Sequence, residues 1–381
     1  MNVKELRAHL PVTNGAVYMN TGWSGPTPLP VLQRVHETLE EEAKLGPASA
    51  KGLAYARGIT NEAKIAVGGL INAEPENVFI THSTTEGVYI VIHGLQWQQG
   101  DELLTCDLEH PALTVPSGVL KERYGVNVVV PTVPPKSSQS AIVEIITSAL
   151  TDKTKLVALS HIQFTCGLRM PIAEIAQACK ERGVPLLVDG AQGAGHVAVD
   201  VQELGCDFYT VSGQKWLMGP SGTGALYVNR DYREKLQPVF TTNALEAERE
   251  NARDPLARFS LASQSPGLVA GFVEAIRLAR ETSLPVTEAR AMELARLLRE
   301  LVKAIPGCAL LGSEEADSVS GLTTFSLAGW QPDELVATLQ EQHRIVARNV
   351  HNPAGVRFST AYFNTEEEVA QVASVLAELV R

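Results

Sequence analysis

Cysteine is scarce and scattered in this sequence. Cys106, Cys166, Cys179, Cys206 and Cys308 are odd in number and contain no CxxC pair. That argues against a disulfide framework and suits reduced thiols in a cytoplasmic protein. The nine histidines show neither HExxH nor a Cys/His ligand spacing, so no metal site is expected. No apolar run approaches the roughly 18 residues that a spanning helix needs. The opening MNVKELRAHLP is charged and lacks the apolar stretch of a signal peptide. Positive charge is in deficit, with 32 Lys and Arg against 43 Asp and Glu, a net charge of −11. A chain this acidic repels a phosphate backbone, and no basic run offsets the repulsion. Nucleic acid and anionic membrane are therefore poor partners.

What is present is a folded chain of 381 residues, 45% hydrophobic, long enough for two domains. Between about 58 and 230, short apolar runs alternate with helical patterns. Seven runs read as strands: Val78–Thr81, Glu102–Cys106, Asn127–Val133, Leu156–Ser160, Val184–Val188, Phe208–Ser212 and Gly224–Val228. Ile172, Ile175, Ala176 and Cys179 share one face of a helix that Gly183 ends. Such alternation predicts an α/β fold with a mostly parallel sheet, whose ligands bind beyond the carboxyl ends of the strands. The C-terminal part reads as a smaller α+β unit. It has a long amphipathic helix over 286–305, strands at 319–327, 344–350 and 355–362, and a last helix opening on a Thr365/Glu368 capping box.

Two strand ends carry the chemistry. The run 184–188 delivers Asp189, followed by Gly190-Ala191-Gln192. The run 208–212 delivers Ser212-Gly213-Gln214-Lys215. Pyridoxal 5'-phosphate (PLP) needs a lysine for its aldehyde and for moving protons at Cα, and an acid beside its pyridine nitrogen. Lys215 and Asp189 answer those needs on neighbouring strands, and Gln192 can donate to the ring's phenolate oxygen. Taken singly, a turn-capping Asp189 and a solvated Lys215 are equally good readings; together they favour the cofactor. Ser83-Thr84-Thr85-Glu86-Gly87 opens a helix and suits a phosphate, although an ordinary N-cap reads the same way. Ser212 and Gln214 offer further donors. His110 sits past a strand end and can lie against the ring, or serve merely as a loop residue. Arg348 and Arg357, on candidate adjacent strands, suit a substrate carboxylate, with surface salt bridging as the alternative. Gly193–Ala198 matches GxGxxA, a dinucleotide signature. No acid stands at a strand end some 20 residues on, so an NAD-dependent dehydrogenase is only a distant alternative.

With these residues in hand, the chain resembles the class V aminotransferase / cysteine desulfurase family of fold-type I PLP enzymes. The resemblance rests on Tyr18-Met19-Asn20-Thr21-Gly22, Ser83–Gly87, Glu109-His110, Val188–Gln192, Ser212–Lys215 and Val356-Arg357-Phe358-Ser359. It implies a seven-stranded, mostly parallel sheet with a smaller α+β C-terminal domain. We expect an N-terminal arm over 1–20 packing with the small domain, a large PLP-binding domain over 21–255 and a small domain over 256–381. It implies Lys215 as Schiff base, Asp189 at the pyridine nitrogen, Gln192 at the phenolate oxygen and His110 stacked on the ring. Thr84, Thr85, Ser212 and Gln214 would hold the phosphate, and Arg357, with Arg348 near it and Asn20, the substrate. A homodimer with shared active sites is implied, Ser263 reaching the partner's cofactor.

The departures bear on the reaction. Desulfurases carry a mobile C-terminal cysteine that accepts sulfur; here the last cysteine is Cys308. Many carry His where Gln214 stands, and Asn where Phe164 stands. The chain looks most like cysteine/cystine C–S lyases, with isopenicillin-epimerase-like members close behind. The expected activity is β-elimination on a cysteine-like amino acid, with epimerisation or transamination as alternatives. A non-catalytic protein that keeps the fold is disfavoured by the intact Lys215, Asp189 and Arg357.

Overall fold

The computed structural model describes residues 1–239 and 254–380. Its large sheet contains β1 Val78–Thr81, β2 Glu102–Leu104, β3 Asn127–Val129, β4 Thr154–Ser160, β5 Leu186–Asp189, β6 Phe208–Ser212 and β7 Gly224–Val228. The spatial order is β1-β7-β6-β5-β4-β2-β3, and only β7 runs against its neighbours. The expected seven strands are therefore present in a mostly parallel sheet. Burial is continuous along β5, β6 and β7. Leu186 and Val188 enter the core on one face and Leu187 the core on the other. A sheet covered on both faces requires apolar residues at both alternations, which is why these strands read as unbroken apolar runs. The strands β2 and β3 stop short of the expected Cys106 and Val133. The edge strand β3 gives way at once to Pro131, which has no N–H to continue a ladder.

The small layer is an antiparallel sheet of β8 Cys308–Leu310, β9 Leu322–Leu327, β10 Arg348–His351 and β11 Ala354–Ser359, in the order β10-β11-β9-β8. The helices Leu284–Lys303, Pro332–His343 and Glu366–Glu378 close its separate core, which includes Leu294, Leu298, Phe325, Phe358 and Val372. The last helix has the expected reciprocal cap between Thr365 and Glu368. The N-terminal arm pairs Val17–Tyr18 in parallel with Ile345–Val346, and Arg7 bonds Glu368 at 2.8 Å. Leu6 and Leu10 of the same arm are buried in the large core, so the arm bridges both layers.

Several helices escaped the sequence reading, Gln139–Ser148 among them; the three longest are Leu29–Leu45, Ala50–Ile71 and Pro266–Thr282. The third packs on the first two, and its Val269, Phe272 and Ile276 belong to the large core. This helix therefore packs with the large core although it follows the expected division at 256.

Sheet register assembles one rim. Ser160 lies beside Asp189, Asp189 beside Thr210, Ser212 beside Gly224, and Gly224 beside Thr81. The carboxyl ends of β4, β5, β6 and β1 thus open on the same edge.

Candidate active site

Lys215 follows β6 by three residues and Asp189 ends β5. Both line one narrow cleft, together with His110, Ser160, Phe164 and Gln192. Asp189 is 3% exposed. Its Oδ1 accepts from the Ala191 amide at 2.9 Å and from Thr210 Oγ1 at 3.2 Å. Its Oδ2 has no hydrogen-bond partner among the described residues, so one fixed anionic lobe is left for a ligand. Burial pushes the Lys215 amine down to about 8, against the attraction of Asp189, and Arg357 and Arg348 push the same way as burial. An amine at that value is partly neutral, hence nucleophilic, near physiological pH.

Gln192 is oriented by two partners of opposite kind. Its Nε2 donates to the Gly22 carbonyl at 2.7 Å and its Oε1 accepts from Trp216 Nε1 at 2.8 Å. Those bonds fix the amide and leave one N–H free. His110 caps the helix Pro111–Tyr124, its Nδ1 accepting from the Ala112 amide at 3.0 Å. The proton of the neutral ring is therefore on Nε2. Burial and the nearby Lys215 lower the His110 pKa to about 4, so the neutral ring is the relevant species. The segment before the first long helix closes the cleft from above: the Gly25 amide donates to the Gln214 carbonyl at 2.7 Å. A Cβ at Gly25 would stand 2.3 Å from the Lys215 carbonyl, so only glycine permits this approach.

Thr84 and Thr85 begin the helix Thr84–Gly94 at the end of β1. Ser83 caps the Glu86 amide, which leaves the first-turn N–H groups of Thr84 and Thr85 without an intrahelical acceptor. Thr84 is buried and Thr85 exposed. Across the rim, Ser212 Oγ donates to Gln214 Oε1 at 3.0 Å. A helix N-terminus facing such hydroxyls is a sound phosphate site.

Arg357 is no surface salt bridge. It is fully buried, directly opposite Arg348 in the β10/β11 register, and forms no ion pair among the described residues. Its Nη1 donates to the Phe164 carbonyl at 2.6 Å, while Nε and Nη2 have no partner. Burial, with Arg348 adding to it, lowers its pKa to about 9. Two donors of a planar, buried fork are thus left idle. Arg348 is half-buried and lies over the Trp23 ring at 4.8 Å. Asn20 bridges to Ser359, two residues from Arg357 on β11, and both Asn20 Oδ1 and Ser359 Oγ are buried without partners. Ser263 is exposed and does not line this cleft.

The GxGxxA segment is not a dinucleotide loop. Gly193–Ala198 is a series of turns and isolated bridges that opens no helix, and the single-turn helix Val201–Leu204 starts only after the segment has ended. His196 stacks on Trp216 at 3.6 Å, accepts from the Gly321 amide at 2.9 Å and lies 2.8 Å from the Gln192 carbonyl. The glycines make room: a Cβ at Gly193 would meet Tyr209 Oη at 2.4 Å.

Sequence reasoning missed Glu109. Its buried carboxylate accepts from the Ser160 amide at 2.9 Å, from Gln163 Nε2 at 2.7 Å and from the Ser160 hydroxyl. It thereby ties the loop carrying His110 to the loop carrying Phe164. Its only sequence signal was its place beside His110. Burial raises its pKa from 4.5 to about 6, against the lowering by those donors. The folded state holds this proton more tightly than the unfolded chain, so stability falls as pH rises from about 4.5 to 6. The loss is about 2 kcal/mol. Glu109→Gln should remove that pH dependence, which denaturant unfolding at pH 5 and pH 7 will read as a wild-type slope that the variant lacks.

The geometry agrees with comparisons to known proteins. The family model for class V aminotransferases matches residues 17–372. A probable cysteine desulfurase of Methanothermobacter thermautotrophicus is 28% identical, covering 100% of this chain and 98% of the relative. The isopenicillin N epimerase of Streptomyces clavuligerus is also 28% identical, over 99% and 98%. The cystine C–S lyase C-DES, in complex with cysteine persulfide, superposes with a TM-score of 0.90 at 26% identity, covering 98% of this chain and 100% of that one.

Proposed function

The chain belongs to the class V aminotransferase family, whose members include PLP enzymes, and from that premise we propose that it is a C–S β-lyase acting on cysteine, cystine or a related S-substituted cysteine. The cleft fits PLP: an amine and a carboxylate with a free oxygen face one space, beside a helix N-terminus and a buried fork without an anion. When bound, PLP supplies an electron sink for the pair left at Cα.

The chain's own residues supply the rest. Lys215 is the amine that would hold the aldehyde and accept the Cα proton. Asp189 Oδ2 would hold positive charge at the ring nitrogen. The free N–H of Gln192 would serve the phenolate oxygen, and neutral His110 would pack against the ring. Thr84, Thr85, Ser212 and Gln214 would bind the phosphate, with Ser263 contributed from a second copy in a homodimer. Arg357 would hold the substrate carboxylate, with Arg348 and Asn20 beside it. Loss of the Cα proton and of the β-sulfur group, followed by hydrolysis, yields pyruvate and ammonia with sulfide or a persulfide.

One observation carries elimination over sulfur transfer. Among the described residues no cysteine lines the cleft or the chamber beside it. Burial pushes Cys166 and Cys308 to about 11 and Cys179 to about 12, and raises Cys106 and Cys206 as well. None of these thiols offers the thiolate that a sulfur acceptor needs. Epimerisation is the second reading, favoured by the full-length similarity to the Streptomyces epimerase. The reduced, unpaired thiols suit a cytoplasmic enzyme. An amino-acid panel on the holoenzyme decides, assaying sulfide, pyruvate, keto acid and chirality together. Pyruvate with sulfide or persulfide supports the lyase; inverted amino acid without pyruvate replaces it with the epimerase.

A further inference from the structure

Phe164 stands where two spaces meet. The residue lines the inner cleft with Lys215 and Asp189, and also lines an outer chamber of about 340 Å³. Trp23, Leu108, Pro111 and Val350 give that chamber its apolar wall, and Arg348, Asp107 and Glu109 line it as well. The ring meets His110 edge-on, with centroids 4.8 Å apart and planes at 81°. The backbone of the same residue holds Arg357 through its carbonyl, at 2.6 Å. Side chain and main chain therefore have separate tasks.

The loop is also rigid. The Gln163 amide donates to the Leu168 carbonyl at 2.9 Å and the Gly167 amide to the Gln163 carbonyl at 2.9 Å. From the small sheet, Thr324 Oγ1 donates to the Thr165 carbonyl at 2.5 Å and Ser320 Oγ to the Gly167 carbonyl at 2.8 Å. The small layer thus fixes the position of the ring rather than leaving it to swing.

We propose that Phe164 is a specificity-determining residue: its ring partitions the cleft from the outer chamber and sets the size of the β-substituent that the enzyme accepts. This rests on the reading of the cleft as a site for cysteine derivatives. A substrate whose carboxylate is on Arg357 has its β-carbon beside this loop. The ring then admits a thiol or short thioether and resists a bulky aryl group. Shortening it joins the two spaces while leaving the carbonyl that orients Arg357 in place.

Calorimetry tests this by binding alone. PLP-loaded protein carrying Lys215→Ala, which cannot move the Cα proton, is titrated with S-methyl-L-cysteine and S-benzyl-L-cysteine, with and without Phe164→Ala. The ratio of affinities should shift toward the benzyl compound by about tenfold or more. Phe164→Leu should shift it less in the same direction, which guards against local collapse in the alanine variant. An unchanged ratio, or one that moves toward the methyl compound, overturns the partition. So does a failure of S-methyl-L-cysteine to bind while Phe164 is intact. Pyruvate release by the enzyme with Lys215 intact is measured separately, so that failure of the lyase reading leaves a distinct signature.

Discussion

Lys215→Ala is expected to abolish the visible absorbance of the holoenzyme's covalently held cofactor and to lower turnover by about 10³–10⁴-fold. The argument begins with the sheet. The register brings the ends of β5 and β6 together, and the three residues after β6 carry Lys215 into the cleft that Asp189 lines. Burial depresses the amine to about 8. Below that value the protonated form dominates and cannot attack an aldehyde. Capture of PLP by the cofactor-free protein should therefore quicken as pH rises through about 8. The fold should survive the substitution, since the side chain makes no hydrogen bond or ion pair among the described residues. Circular dichroism of the variant separates loss of chemistry from loss of structure.

The second large effect belongs to Arg357. Removing one partner of a buried charge pair costs about 2–5 kcal/mol, a factor of roughly 30 to several thousand in kcat/KM for Arg357→Leu. The carboxylate stays bound throughout the reaction, so most of the loss should fall on KM. Arg357→Lys should recover only part of it, because an ammonium lacks the planar fork. Stability should move the other way. In the free protein Arg357 is a buried cation with two idle donors and Arg348 opposite. Removing an uncompensated buried charge relieves the fold. A melting temperature that holds or rises while kcat/KM collapses marks a ligand-binding residue. A parallel fall in both would mark a structural one.

The large sheet was legible because its strands are buried on both faces and read as apolar runs between turns. The pairing of Asp189 with Lys215 was legible because both stand just past such runs. The helix Pro266–Thr282 was not, for the opposite reason. Ten of its residues are buried and its glycines pack against neighbours, Gly267 on Leu39 and Gly271 on Val35 and Pro220. Its charged residues, Glu274, Arg277, Arg280 and Glu281, all fall in the second half, so the first two turns read only as an apolar run. Glu109 was visible beside His110 but its role was not, because its partners, Ser160 and Gln163, lie 51 and 54 residues away. The sequence left Arg357 divided between a surface salt bridge and a carboxylate fork. The position of β11 inside the small sheet, between β10 and β9, buries the guanidinium and so removes the surface salt bridge. The sequence also showed the glycines of 193–198 without their cause, which is the packing of Tyr209, His196 and Trp216.

The most direct test is chemical. Holoenzyme treated with borohydride, digested and mapped by mass spectrometry should carry the reduced pyridoxyl group on Lys215 and on no other lysine. A label on a different lysine, or a cofactor that washes away unreduced, contradicts the account.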